Sequence, residues 1–274
     1  MICSVESGRR LWARAAGWVG IAAAMVLGMA SAQLMAQDES AVKKMAADAV
    51  PQFEVAIIKR TDPNWRGSGF HDEGRRIFCD NKTLDEIVAF AYGVHATQIV
   101  GAPGWAGTDK YDVNGVSDVE GNPDLKQMQG MYRKLLAERF KLTFHREKKE
   151  LSAYAIRAAK GGAKLTKSAG DPNGLGSDAS GDPSGMKFTD TSMEEFVLVM
   201  QLFALDKPVV DQTGLMGRYD FLLKWSPDEA QSSDLNAPPG LFTAIQEQLG
   251  LKLEGVKAPV DVIVIDHVER PSAN

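Results

Sequence analysis

The sequence predicts an α+β fold: a tandem duplication of a strand–helix–strand–strand–helix–strand–strand module, with helices packed on mixed sheets. Three observations carry this expectation. Two helix starts share one capping pattern, Thr83 with Glu86 and Ser192 with Glu195, 109 residues apart. Two stretches, PGWAGTDKYDVNG from Pro103 and TGLMGRYDFLLKW from Thr213, each place a pair of glycines before Tyr-Asp. The run Val262–Ile265 is apolar at every position, as expected of a central strand covered on both faces.

In the first module, Pro51 opens FEVAIIKR, whose β-branched content reads as a strand. The following TDPNWRGSGFHDEGRR reads as a long loop. TLDEIVAFA and SMEEFVLVM then read as helices. In each, the leading hydroxyl accepts a free N–H of the first turn, and the Glu three residues on reaches back to the cap. Leu84, Ile87, Val88 and Ala91 form an apolar stripe in one, and Met193, Phe196, Val197 and Met200 in the other. Val100 and Val209 mark short strands. Gly104 and Gly107, and likewise Gly214 and Gly217, allow the tight turns before Tyr111-Asp112 and Tyr219-Asp220.

Neighbouring strand residues face opposite sides, so each Tyr-Asp pair splits. Tyr219, Phe221, Leu223 and Trp225 should face the core. Asp112 and Asp220 should accept backbone or turn hydrogen bonds rather than act with the tyrosines in catalysis. The second helices, DLKQMQGMYRKLLAERF and GLFTAIQEQLG, lead into Lys141-Leu142 and Lys252-Leu253. Each module is expected to close with two strands: KLTFHREKK then LSAYAIRAA, and KLEGVKA then PVDVIVIDHVE. The modules span 51–167 and 186–274, joined by a Gly/Ser/Asp/Pro linker over 168–185.

The N-terminus carries an address. Arg9, Arg10 and Arg14 precede an apolar stretch over Ala15–Ala30, which ends in Ala30-Ser31-Ala32. A basic region, an apolar region and small residues at −3 and −1 describe a secretory signal peptide over 1–32, cleaved after Ala32, with Ala36 as second choice. The apolar stretch is shorter than the roughly 20 residues that span a bilayer. Residues 33–50 then read as a flexible leader, and the membrane is met only before cleavage. Removing residues 1–32 takes away three Arg and one Glu and shifts the net charge from −5 to −7. No basic stripe remains to bind nucleic acid. Cys79 becomes the only cysteine, which excludes an internal disulfide; a lone thiol of this kind is expected to be buried and inert.

The chemistry-bearing motifs are few. HExxH, GxSxG, GxGxxG, CxxC and the phosphate-binding Walker loop are all absent from the sequence. SxxK occurs at Ser40 and Ser184, both in linker sequence with no KTG to follow. His71, His95, His145 and His267 lie apart from one another, without metal-ligand spacing. His71-Asp72-Glu73 is the first place to look for a metal. Asp266 and His267 should point to opposite faces of a strand and so not form an acid/base pair. No catalytic, cofactor-binding or metal-ligating residue is designated, and no cofactor is expected.

Taken together, FEVAIIKR, DNKTLDEIVAFAYGV, IVGAPGW, LLAERFKLTFHRE, AKGGAKL, PVVDQTGLMGRYDF, FTAIQEQLGLKLE and APVDVIVIDHVERPS cover most of residues 51–272. With them the chain resembles a large paralogous family of exported proteins, best known from acidobacteria, that carries a domain of unknown function. The resemblance implies a periplasmic or secreted protein of unassigned role. Related domains occur fused to membrane zinc peptidases of the β-lactam-sensor type, whose HExxH this chain lacks. Val94-His95 departs from the more polar residues expected there. The favoured expectation is a non-catalytic binding module for a protein or small-molecule ligand of the cell envelope. A hydrolase acting on envelope material and a sensor module are the alternatives. Acidic and histidine side chains from both modules lining a cleft would favour the enzyme; an apolar groove without titratable groups would favour binding.

Overall fold

Local sequence signals set the helix starts, and pairing between strands far apart in the chain assembles the sheets. The computed structural model describes residues 44–170, 178–182, 185–226 and 238–271, within a unit spanning Val42–Asn274. The expected signal peptide, the first part of the leader, Ser40 and Ser184 lie outside the described residues. The strands are β1 (Phe53–Arg60), β2 (Gly69–Glu73), β3 (Arg76–Thr83), β4 (Ile99–Val100), β5 (Lys110–Ser117), β6 (Thr143–Ala158), β7 (Thr166–Lys167), β8 (Asp178–Asp182), β9 (Gly185–Ser192), β10 (Val209–Asp211), β11 (Arg218–Leu223) and β12 (Leu251–His267). The helices are α1 (Leu84–Tyr92), α2 (Leu125–Arg139), α3 (Met193–Phe203) and α4 (Leu241–Leu249). The fold is α+β with mixed sheets.

Both expected capping boxes form. Thr83 and Ser192 each accept the N–H three residues on at 3.2 Å, and Glu86 and Glu195 return to the cap N–H at 2.8 Å. Each box contributes about 1 kcal/mol. The apolar stripes that follow are buried, with Ile87 and Phe196 fully enclosed.

The strands form three sheets, ordered β1-β5-β3-β2, β10-β6-β12-β4 and β7-β11-β9-β8. The first and third are antiparallel and carry α1 and α3 between corresponding strands. The middle sheet joins β1–β6, the first half, to β7–β12, the second. Its spine is the antiparallel pair β6 and β12, running from Leu251 opposite Ala158 to His267 opposite Thr143. Short parallel strands are exchanged across it: β4 of the first half adds to β12, and β10 of the second adds to β6. Val262–Ile265 thus lies in an internal strand, as its composition requires.

Several expectations need correction. The stretch read as a long loop contains the hairpin β2–β3, in which Phe70, Ile77 and Cys79 give the apolar face. Each half closes with one long strand, not two. The charged run Glu147–Glu150 in β6 interrupts the apolar pattern because β10 reaches β6 only at Tyr154–Ile156, leaving that stretch exposed. Pro259 likewise sits within β12, where β4 meets the strand only at Ile263 and Val264, and proline is tolerated beside an open edge. The 168–185 linker contains β8, which pairs with β9, and Thr166–Lys167 joins the second half's sheet through β11. The leader's end is not free either. Met45 is buried, its N–H bonds to the Asn122 carbonyl at 2.9 Å, and Gln127 Nε2 donates to the Ala46 carbonyl at 2.8 Å.

Two main cores result. One gathers Ile77, Ile87, Tyr132, Leu136 and Phe140 of the first half, with Ile263 and Ile265 of β12. The other gathers Phe188, Phe196, Leu223, Ile245 and Leu251 of the second half, with Ile156 of β6. Each half therefore buries side chains of the other's long strand.

Candidate functional site

The end of α1 begins the site. Gly93 closes the helix in the left-handed conformation (φ 66°), its natural place at a helix C-terminus. Its carbonyl accepts Gln201 Nε2 of α3 at 3.1 Å, and Gln201 Oε1 accepts the N–H of Val209 at 3.3 Å. Gln129 of α2 donates to the Phe90 carbonyl at 2.9 Å, and Gln98 donates to the Asp261 carbonyl at 2.8 Å. All three glutamines are buried and each has a partner, as burial of an amide demands. Gln201 and Gln98 bridge the two halves, and Gln129 ties α2 to α1 within the first.

Over this framework lies a cleft of 660 Å³. The first half lines it with Tyr92, Lys126, Gln129, Arg133 and Arg146, and the second with Glu194, Glu195, Leu198 and Asp211. Its cations therefore come from α2 and β6, and its carboxylates from α3 and β10. Glu195 is already engaged: besides capping α3 it forms an ion pair with Arg218 at 3.1 Å. Asp211 Oδ1 accepts the N–H of Thr213 at 2.8 Å. Among the described residues, Lys126, Arg133, Arg146 and Glu194 have no ion-pair partner within 4.0 Å. Partial burial raises the pKa of the Tyr92 hydroxyl, while the charges of Arg133 and Arg146 act to lower it.

The histidines, the cysteine and the paired aspartates weighed in the sequence lie elsewhere. His71 and Glu73 share one face of β2 and Asp72 takes the other, where it accepts from the Asn122 side chain. His71 stacks on Phe78, with ring centroids 4.8 Å apart. Strand alternation therefore separates the trio proposed as a first place for metal, and among the described residues no three His, Cys, Asp or Glu side chains are grouped to hold one. Asp266 does find a histidine, but across the sheet: His145 Nδ1 lies 2.8 Å from it, while His267 pairs with Glu269 at 2.9 Å. Both clusters are exposed. His95 is buried, with Nε2 3.3 Å from the Leu205 carbonyl and Nδ1 accepting the Thr97 N–H at 3.2 Å. Cys79 is fully buried, and burial pushes its thiol pKa well up, so it is no ready nucleophile.

Asp112 and Asp220 hold equivalent backbone positions. A bulge interrupts β3 between Cys79 and Lys82 and another interrupts the β9–β11 pairing, and the extra residues, Asn81 and Asp190, are left-handed at φ 55° and 50°. Asp112 Oδ1 accepts the Asn81 N–H at 3.0 Å, and Asp220 Oδ1 accepts the Asp190 N–H at 2.7 Å. Each bulge lies two residues before a helix cap. Asp112 also accepts the Thr61 hydroxyl at 2.7 Å.

Sequence reasoning missed the cleft residues, although one signal was present. Lys126, Gln129 and Arg133 lie at i, i+3 and i+7 on α2, a polar face opposite Met131, Tyr132 and Leu135. The criterion set by the cleft's lining resolves neither way: its acids come from one half, and its lining is not apolar alone.

A family model described as a protein of unknown function (DUF3738) matches residues 85–268, two-thirds of the sequence. The chain belongs to that family. No curated protein and no solved structure matches the chain.

Proposed function

We propose that this chain is an exported binding module that holds a small molecule in the cleft between its halves. The observation that carries the reading is a set of charged side chains, Lys126, Arg133, Arg146 and Glu194, that line a 660 Å³ cleft without ion-pair partners among the described residues. The volume falls in the range of small-molecule sites, about 300–1,000 Å³. The buried glutamines beneath give the cleft a fixed floor, which lowers the ordering cost of binding. Export rests on the basic, apolar and small-residue pattern of residues 1–32. The paired bulges, capping boxes and aspartate contacts support a tandem duplication as the origin of the two halves.

A Leu198→Trp variant, which places an indole in the cleft, tests the binding role. Envelope extracts fractionated by size should contain a small molecule that raises the melting temperature of the wild-type protein and not of the variant. Equal shifts in both would remove the cleft from the function, and turnover of the bound molecule would make the protein an enzyme. Export is tested separately by Edman sequencing of the accumulated protein. Gln33 is expected as the first residue, and a chain beginning at Met1 in the cell envelope or medium would refute cleavage.

A further inference from the structure

We propose that Arg133 and Arg146, with the Tyr92 hydroxyl, form an anion subsite that takes the carboxylate or phosphate of a small molecule with an apolar body. The inference rests on the cleft as a binding site and assigns its ligand chemistry. Arg133 stands on α2 and Arg146 on β6, and both line the cleft. Phe144 links Tyr92 to Arg146: Tyr92 meets its ring edge-on with centroids 4.7 Å apart, and the Arg146 guanidinium lies 6.0 Å from the same ring. Arg133 Nε donates to the Gln129 carbonyl at 3.3 Å, which anchors the side chain to its own helix.

Neither guanidinium has a carboxylate within 4.0 Å among the described residues, although Glu194 and Asp211 line the same cleft. Both arginines line one cleft and both of their charges act on the Tyr92 hydroxyl; like charges repel, and an anion shared between them relieves that repulsion. Guanidinium groups bind carboxylate and phosphate through paired N–H donors, and Tyr92, which has no hydrogen-bond partner among the described residues, offers a further O–H. The cleft is far larger than one anionic group. Leu125, Leu198 and Val209 in its lining supply apolar surface for the rest of the molecule.

The test titrates the protein with 4-phenylbutyrate, phenyl phosphate and the neutral 4-phenylbutyramide, followed by NMR. The anions should bind roughly tenfold or more tightly than the amide, the effect of one charge-assisted contact. An Arg133→Ala/Arg146→Ala double variant should lose that preference while keeping its melting temperature and its weak binding of the amide. Tighter binding of the butyrate assigns a carboxylate ligand, and tighter binding of the phosphate assigns a phosphate. Equal affinity for all three, a preference that survives in the double variant, or no binding of any probe at about 10 mM overturns the subsite. If the amide binds and Leu198→Trp abolishes it while the anion preference is absent, the subsite fails and the cleft survives. If the probes bind Leu198→Trp as they bind the wild type, the cleft reading itself fails.

Discussion

Asp112 and Asp220 do the same work twice. Each carboxylate accepts the N–H of a left-handed residue at a bulge, an N–H that has left the sheet ladder. A hydrogen bond to a charged acceptor contributes about 1.5–3 kcal/mol, so Asp220→Ala and Asp112→Ala should each cost roughly 2 kcal/mol. For a chain of this size that lowers the melting temperature by about 4–8 °C. Asparagine, which keeps an acceptor oxygen, should restore part of the loss in each case. Scanning calorimetry of the four variants checks this; an unchanged melt for Asp220→Ala would remove its folding role, and lost ligand binding alongside it would make Asp220 a site residue. The histidines offer a second reading at this scale. Asp266, then Glu147, raises the His145 pKa above 6.5, whereas burial lowers that of His95. The His145 contribution is present below about pH 6.5 and is lost as pH rises through its raised folded value. The His95 contribution is present above about pH 6.5 and is lost as pH falls through its lowered folded value. NMR titration should therefore place the two midpoints on opposite sides of 6.5, and Asp266→Asn should move His145 down without moving His95.

The elements show which parts of the chain announce themselves. Helix starts do, because a capping box needs only residues three apart; both lie where Thr83, Glu86, Ser192 and Glu195 indicated. The β2–β3 hairpin does not, because glycines and aspartates surround its few apolar residues and its partner β5 arrives only after a helix. The sequence pattern breaks the long strands at Glu147–Glu150 and at Pro259 for a related reason: their continuity depends on each other, about a hundred residues away, and not on local pattern. The cleft was hidden for the strongest form of that reason, since its lining is drawn from both halves, with only the polar face of α2 visible in advance. Helix ends give a pair of opposite predictions. Lys141 follows α2 at φ 53°, and Gly250 follows α4 at φ 63°. A non-glycine residue pays about 1–2 kcal/mol in this conformation, so Lys141→Gly, at an exposed site, should stabilise by up to about 1 kcal/mol once the added chain entropy is set against it. Gly250→Ala incurs the same strain and drives a Cβ into the Gly162 carbonyl oxygen. It should destabilise by at least about 2 kcal/mol. Urea melts of both variants read the two signs directly.

At the scale of the molecule, the exchange of short strands decides what can fold alone. β4 leaves the first half to pair with β12, and β10 leaves the second to pair with β6. Ile263 and Ile265 complete the first core from the second half, and Ile156 reaches the second core from the first. Burying one such side chain stabilises by about 1.5–3 kcal/mol, and separating the halves also strips the long β6–β12 ladder of its partner. A loss of several kcal/mol approaches the whole stability of an ordinary domain, about 5–15 kcal/mol. Residues 44–165 and 166–271 expressed separately should therefore each lack a cooperative melt. Mixed in equal amounts, they should regain a single transition and the hydrogen-exchange protection of β6 and β12 amides. A cooperative melt from either piece alone, near the temperature of the intact chain, would show that the exchanged strands do not couple the halves. Because Arg146 belongs to β6 and Leu198 to α3, the same mixture should regain the cleft only when both pieces are present, which links the folding unit to the site it builds.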